Sequence, residues 1–133
     1  MGRSILAIVI GFLLIGAASF GMDAILRSSL PDMYDATGRT DNFGMLLFTI
    51  VYVGVFAVAG CYLTARLAPS APMKHALILG VLGLVFNIVG STMAWATAPA
   101  WFHVVSLLLV MPYAWLGGRI RERQLAVAPA RVP

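Results

Sequence analysis

Few side chains in this sequence could carry out chemistry, and the two histidines are the first candidates. His75 opens one apolar run and His103 opens the next. If these runs are successive antiparallel helices, their first residues are roughly 30 Å apart, because a helix rises about 1.5 Å per residue. One metal ion or haem cannot join them, and a zinc site at either needs further His, Cys or carboxylate ligands nearby. We therefore predict no metal site and no cofactor.

Asp23 is the only carboxylate within an apolar run. It lies 18 residues after Ile5, about 27 Å along a helix, and so near the end of that run. Arg27 follows four residues later, at the spacing of an ion pair on one helix face. Proton-coupled carriers place their ionisable residue deeper in the membrane. We therefore predict a local ion pair between Asp23 and Arg27.

The remaining polar groups offer little for catalysis. Asp32, Asp35, Asp41 and Asn42 could gather a cation, but their spacing differs from that of a calcium-binding loop and favours a solvated loop. Cys61 is the single cysteine, so it has no intrachain partner and is expected to pack. The sequence has no phosphate-binding glycine loop, nucleophile elbow or zinc-protease motif. We predict no catalytic residue and no enzymatic activity.

The composition identifies the solvent that these residues require. Hydrophobic residues make up 61% of the 133 residues and charged residues 11%, whereas soluble domains carry about 25% charged residues. A membrane helix needs about 20 apolar residues, so the chain has room for four. The sequence predicts an all-α polytopic membrane protein, a compact bundle of four transmembrane helices in a single membrane domain, 1–133, with a basic cytoplasmic tail. The expected spans are 5–26, 43–67, 73–96 and 100–118, and the tail is 119–133.

Turn residues mark where the helices should begin. Asp41 or Asn42 is a suitable N-cap for the second span. Ser70 before Pro72 repeats the pattern of Thr97 before Pro99, a capping hydroxyl followed by a proline in the first turn. Residues 17–19 are small enough to suggest a signal-peptide cleavage site, but apolar residues continue beyond them, which favours an uncleaved first helix.

The basic residues set the predicted orientation. Seven Lys and Arg residues fall on one side of the four spans and two on the other. The positive-inside rule places the richer side, with both termini, in the cytoplasm. The two histidines then fall at the two membrane boundaries, where packing or headgroup contact is expected. The seven are Arg3, Arg66, Lys74, Arg119, Arg121, Arg123 and Arg131, and the two are Arg27 and Arg39.

Small residues recur at helical spacing along three spans. Since lipid tails are as apolar as leucine, membrane helices associate through small residues that allow close approach. These stripes predict the packing faces, and a leucine at Gly83 is expected to push a neighbouring helix away. The alternative is a substrate path along Asn87 and Ser91. The helix-packing residues are Gly80, Gly83, Asn87 and Ser91 in span three, Ala57 and Gly60 in span two, and Gly11 and Ala18 in span one.

Two stretches carry a family resemblance. Residues 59–85, AGCYLTARLAPSAPMKHALILGVLGLV, and residues 99–123, PAWFHVVSLLLVMPYAWLGGRIRER, resemble small uncharacterised four-helix membrane proteins of bacteria. The resemblance implies the four-span topology and the bacterial inner membrane, and it implies no catalytic residue. Small multidrug carriers also have four spans, but their first helix carries a central Glu where this sequence is apolar.

Two functions remain open from the sequence. The first is a structural or accessory protein that binds membrane lipids and other membrane proteins, or itself as a homo-oligomer. It would use an external apolar face at 107–110 and the basic residues after it. The alternative is a small oligomeric carrier for a neutral or lipid-like solute. Nucleic acid is not expected as a partner, because the basic residues flank apolar spans instead of forming a patch with aromatic residues.

Overall fold

The structure is a computed structural model that describes residues 2–127. It is all-α, and its four helices are each long and apolar enough to cross a membrane. The 28 residues of the first helix extend about 42 Å, beyond a hydrocarbon core of about 30 Å. Short 3₁₀ turns at Pro31–Met33 and Trp95–Thr97 lie in the connections. The helices are α1, Gly2–Ser29, α2, Phe43–Leu67, α3, Pro72–Met93, and α4, Ala100–Val127.

The helix ends partly follow the predicted signals. Asn42 caps α2 by accepting a hydrogen bond from the Met45 amide at 3.0 Å, as expected. The prediction for Ser70 was wrong, because the N-cap of α3 is Ala71, which has a left-handed backbone and no capping side-chain bond. The prediction for Thr97 was also wrong. Its hydroxyl donates to the Ala94 carbonyl at 2.7 Å and so closes the preceding turn.

The fourth helix is longer than its apolar run. It continues through Pro112 and past the predicted end at residue 118 to Val127. Polar residues extend it because Arg, Glu and Gln are good helix formers. Arg119 forms a salt bridge with Glu122 at 3.4 Å, and the Tyr62 hydroxyl donates to Gln124 at 2.9 Å. Part of the predicted tail is therefore helical, and its residues 128–133 lie outside the described part of the chain.

Helices α1 and α2 cross in close contact. A Cβ atom added at Gly11 would lie 2.7 Å from the Gly60 carbonyl oxygen, and one added at Gly60 would lie 2.9 Å from the Gly11 carbonyl oxygen. Buried Thr64 donates a hydrogen bond to the Ala7 carbonyl at 3.1 Å beside this crossing. Two backbones can approach this closely only where the intervening side chains are absent.

The α3–α4 and α2–α4 contacts also depend on small residues. A Cβ at Gly80 would lie 2.5 Å from that of Ala114, and one at Gly117 would lie 2.7 Å from the Val58 carbonyl. Gly83 lies at a wider point, where an added Cβ would meet only Val110, at 3.8 Å. A large side chain would therefore push a neighbouring helix away at Gly80 and not, as predicted, at Gly83.

Both interhelical connections at one end of the bundle are joined to each other. We call this end, with residues 30–42 and 94–99, the loop end, and the opposite end, with residues 68–71, the tail end. Thr40 donates its amide to the Thr97 carbonyl at 3.1 Å, and Arg39 donates to the Ala96 carbonyl at 2.8 Å. These bonds hold the α1–α2 connection against the residues that precede α4.

Candidate binding cavity

A partly open cavity of about 240 Å³ lies between α2, α3 and α4, and Ile15 of α1 completes its lining. Along α3 it extends from Leu79 to Ser91, about 18 Å at the rise of a helix, so it crosses the middle of that helix. Its lining has no Asp, Glu, Lys or Arg. The lining residues are Ile15, Thr49, Ile50, Val53, Ala57, Cys61, Leu79, Gly80, Gly83, Asn87, Ser91, Phe102, His103, Ser106, Leu109, Val110 and Tyr113.

Two glycines of α3 shape one wall of the cavity in different ways. Gly80 lets α4 approach, while Gly83, one turn further, leaves room in front of Val110. A side chain at Gly83 would occupy that room. Of the residues predicted for helix packing, Gly80, Gly83 and Ala57 thus line the cavity, Gly11 and Gly60 form the α1–α2 crossing, and Ala18 is half-buried.

Polar groups collect towards the loop end of the cavity. Ser91 donates its hydroxyl to Asn87 Oδ1 at 3.1 Å within α3, and Ser106 faces them from α4. Asn87 thus lies on the bundle-facing side, as the cost of exposing an amide to lipid requires. Cys61 and Leu79 line the other part of the cavity, and both belong to the buried core. The cavity is therefore polar towards the loop end and mainly apolar towards the tail end.

His103 packs inside the bundle, which is the first of the two roles expected for it. It is only 4% exposed and lines the cavity, so headgroup contact, the other expected role, does not apply. Its ring stacks on Trp95 with centroids 4.8 Å apart, because the turn at 94–99 folds back over the start of α4. Among the described residues its Nε2 atom is buried without a hydrogen-bond partner. His75, at the tail end, is also buried, with Nδ1 3.1 Å from the Ala71 carbonyl.

Tyr113 is a cavity residue that the sequence analysis did not select. Its hydroxyl donates to the Ile50 carbonyl at 3.3 Å, and its ring covers Gly54, where an added Cβ would lie 2.6 Å from the ring. The ring thereby closes the space between α2 and α4. The pairing of a tyrosine with a glycine on a different helix leaves no local sequence pattern.

The predicted ion pair between Asp23 and Arg27 is not formed, because each residue has another partner. The Tyr52 hydroxyl of α2 donates to Asp23 Oδ1. Arg27 donates to the Gly38 carbonyl at 3.2 Å and lies 4.8 Å over the Tyr34 ring. Asp23 pairs with Tyr52 on the neighbouring helix because that hydroxyl is shielded from water. Arg27 instead reaches the loop that follows its own helix.

The Asp23–Tyr52 bond should contribute measurably to stability. We expect Asp23→Ala to lower the free energy of unfolding in detergent by about 1–2 kcal/mol, because the Tyr52 hydroxyl loses its acceptor. Asp23→Asn retains an acceptor oxygen and should cost less than half as much. Asp32→Ala in the exposed loop is the control. Additive effects of Asp23→Ala and Tyr52→Phe in a double variant would contradict the pairing.

Two of the acidic loop residues, Asp35 and Asp41, are engaged with their neighbours. Asp35 accepts hydrogen bonds from the Thr37 hydroxyl at 2.6 Å and the Arg39 amide at 2.9 Å, and these bonds lower the pKa of its carboxyl group. Asp41 pairs with the Arg39 guanidinium at 2.6 Å, which lowers the pKa of Asp41. Within residues 2–127 no group of three or more His, Cys, Asp or Glu residues could hold a metal ion.

The fold is an all-α bundle of four helices, each long and apolar enough to cross a membrane, and it suggests a multi-pass membrane protein. Comparisons with protein-family models, with curated proteins and with solved structures found no match to this chain.

Proposed function

We propose that this chain is a four-span membrane protein that binds one small, uncharged, largely apolar solute inside its bundle. The observation that carries the proposal is the 240 Å³ cavity between α2, α3 and α4. Apolar protein cavities of about 150 Å³ hold benzene, so this volume suits a molecule of about ten non-hydrogen atoms. The cavity crosses the middle of α3, the depth at which membrane carriers bind their substrates.

The lining of the cavity favours an uncharged solute. The cavity residues include no Asp, Glu, Lys or Arg. Removing an ion from water costs several kcal/mol, and only opposite charges or several hydrogen bonds offset that cost. An uncharged solute avoids it and gains from burial of its apolar surface.

The accessory role has less structural support than the solute-binding role. Of the face at 107–110 that was expected to be external, Leu109 and Val110 line the cavity, while Leu108 is 70% exposed. The other exposed apolar side chains are as well suited to lipid as to a protein partner. A protein that also moves the bound solute across the membrane would be a carrier, and the carrier role is the natural extension of the proposal.

We also propose that the tail end faces the cytoplasm, in keeping with its excess of Lys and Arg. The bacterial inner membrane is proposed from the resemblance of residues 59–85 and 99–123. Gly11, on which α2 packs, precedes the small residues at 17–19, so an uncleaved first helix is part of the proposal.

The orientation has a direct test. Reporter fusions at Gly38 and Thr97 should report an external location, and fusions at Ser70 and at the C-terminus a cytoplasmic one. Mass spectrometry of the intact protein should find residues 1–20 retained. An external C-terminus or a missing N-terminal segment would contradict the proposed topology.

Solute binding is tested with propylbenzene, which has nine non-hydrogen atoms and no polar group. Methyl-labelled protein in lipid nanodiscs is titrated with it, and the NMR shifts of Leu79 and Val110 are followed. We expect saturable changes at these two cavity residues and unsaturable, partition-like changes at lipid-exposed Leu108. Unsaturable changes at all three would overturn the proposal.

A further inference from the structure

We infer that the solute carries one uncharged acceptor oxygen, bound jointly by the side-chain amide of Asn87 and the hydroxyl of Ser106. This inference rests on the proposed solute binding. Asn87 lies on α3 and Ser106 on α4, and both line the cavity. An amide within a membrane-spanning helix is costly unless its polar atoms have partners. What these two groups can still bind therefore indicates the class of the solute.

The two polar side chains lie at the same depth and face each other. Asn87 is six residues before the end of α3, and Ser106 is six residues after the start of α4. Each is thus about 9 Å along its helix from the loop end. The contact between Gly83 and Val110 gives the same register, because one turn further along these antiparallel helices brings α3 to Asn87 and α4 to Ser106.

Helices α3 and α4 separate towards the loop end, which leaves a gap between the two polar side chains. A Cβ added at Gly80 would lie 2.5 Å from that of Ala114, whereas one at Gly83 would lie 3.8 Å from the nearest atom of Val110. Within residues 2–127 no hydrogen bond joins the amide on α3 to the hydroxyl on α4. The gap between them belongs to the cavity, so an atom of the solute can lie there.

Both groups are unpaired and accessible. Asn87 accepts from Ser91 with Oδ1 at 3.1 Å, which orients the amide. In the described part of the chain neither its NH₂ group nor the Ser106 hydroxyl has a hydrogen-bond partner. The side-chain atoms there that are both unpaired and fully buried are Ser19 Oγ and His103 Nε2. The NH₂ group and the Ser106 hydroxyl are not among them, so each retains surface that a small molecule in the cavity can reach.

An acceptor oxygen satisfies both groups at once. The NH₂ group can only donate, and a serine hydroxyl can donate or accept. A carbonyl oxygen has two lone pairs, so it can accept from the amide and from the hydroxyl together. The apolar remainder of the cavity, with Leu79 and Val110, suits a hydrocarbon body. The solute class is therefore a neutral compound of about ten non-hydrogen atoms with one acceptor oxygen, as in a small ketone.

The first test follows the side-chain NH₂ signals by NMR in lipid nanodiscs. The chain has three such groups, in Asn42, Asn87 and Gln124, and of these Asn87 lines the cavity. The ligand is propiophenone, which is propylbenzene with a carbonyl oxygen on the first chain carbon. We expect it to shift the Asn87 amide protons downfield saturably, and propylbenzene to shift them much less. Unmoved Asn87 signals, at concentrations that saturate the shifts of Leu79 and Val110, would overturn the inference.

The second test removes each polar group in turn. Asn87→Leu replaces the amide with an apolar side chain of similar shape, and Ser106→Ala removes the hydroxyl. The preference for propiophenone is the ratio of its affinity to that of propylbenzene, and partitioning of the compounds into lipid cancels when this ratio is compared between proteins. We expect the preference to fall roughly twofold to tenfold in each variant, the range of one net hydrogen bond. Saturable propylbenzene binding shows that a variant is folded.

The matched control is Thr92→Val, which removes a hydroxyl from the exposed side of α3. Thr92 lies outside the cavity lining and donates to the Val89 carbonyl at 2.8 Å, so the preference should stay unchanged. Saturable binding of both compounds with the wild-type preference in either Asn87→Leu or Ser106→Ala would overturn this inference and leave the binding cavity intact. Unsaturable behaviour of both compounds in the wild type would instead overturn the proposed function.

Discussion

Replacing Gly11 with alanine is expected to lower the free energy of unfolding in detergent by about 2–3 kcal/mol. The added methyl group would lie 2.7 Å from the Gly60 carbonyl oxygen, and a backbone atom cannot rotate away. The helices must separate, at the cost of about 1–3 kcal/mol that overpacking imposes. Separation also weakens the hydrogen bond from Thr64 to the Ala7 carbonyl, worth about 0.6 kcal/mol on average in membranes.

The matched control is Gly16→Ala in the same helix. An added Cβ there meets no atom within 4 Å, and alanine is the better helix former. This variant should be as stable as the wild type or slightly more stable. Equal stability of the Gly11 and Gly16 variants in equilibrium unfolding would show that α1 does not pack on α2 through Gly11.

Replacing Gly83 with leucine is expected to weaken binding of propylbenzene at least tenfold while the bundle remains folded. Gly83 lines the cavity, and an added Cβ has only Val110 nearby, at 3.8 Å. The four carbons of the leucine side chain would therefore fill space that the solute needs. The free energy of unfolding should change by less than about 1 kcal/mol, since filling a cavity restores packing contacts.

The control for this change lies on the same helix. Gly90 is exposed, and an added Cβ there meets no atom within 4 Å. Gly90→Leu adds the same side chain outside the cavity and should bind propylbenzene as the wild type does. If the two variants bind equally well, the solute does not occupy the space beside Gly83.

Most of the fold could be predicted because the length of an apolar run is read directly from the local sequence. The α2 bounds, 43–67, agree with the structure, since the Asn42 cap and the residues before Pro69 are clear signals. The end of α4 could not be found this way. Apolarity marks where a helix leaves the membrane, and the polar residues from Arg119 to Val127 continue the helix beyond that point.

The candidate site was only partly predictable. Asn87 and Ser91 stood out because amides and hydroxyls are costly in lipid, and both line the cavity. The packing of His103 depends on Trp95, which a turn between helices folds onto the imidazole ring. The partners of Asp23 and Arg27 likewise lie on other elements. Spacing along one helix predicts contacts within that helix, and it contains no information about contacts between helices.

Binding of a solute inside the bundle is tested most directly by photolabelling, which locates the bound molecule. An alkylbenzene that carries a diazirine is irradiated with the protein in nanodiscs, with and without excess propylbenzene, and the labelled residues are identified by mass spectrometry. The cavity predicts labels at residues such as Leu79, Asn87 and Val110 that the competitor removes. Labels confined to lipid-exposed residues such as Phe20 and Leu108, and unaffected by the competitor, would contradict it.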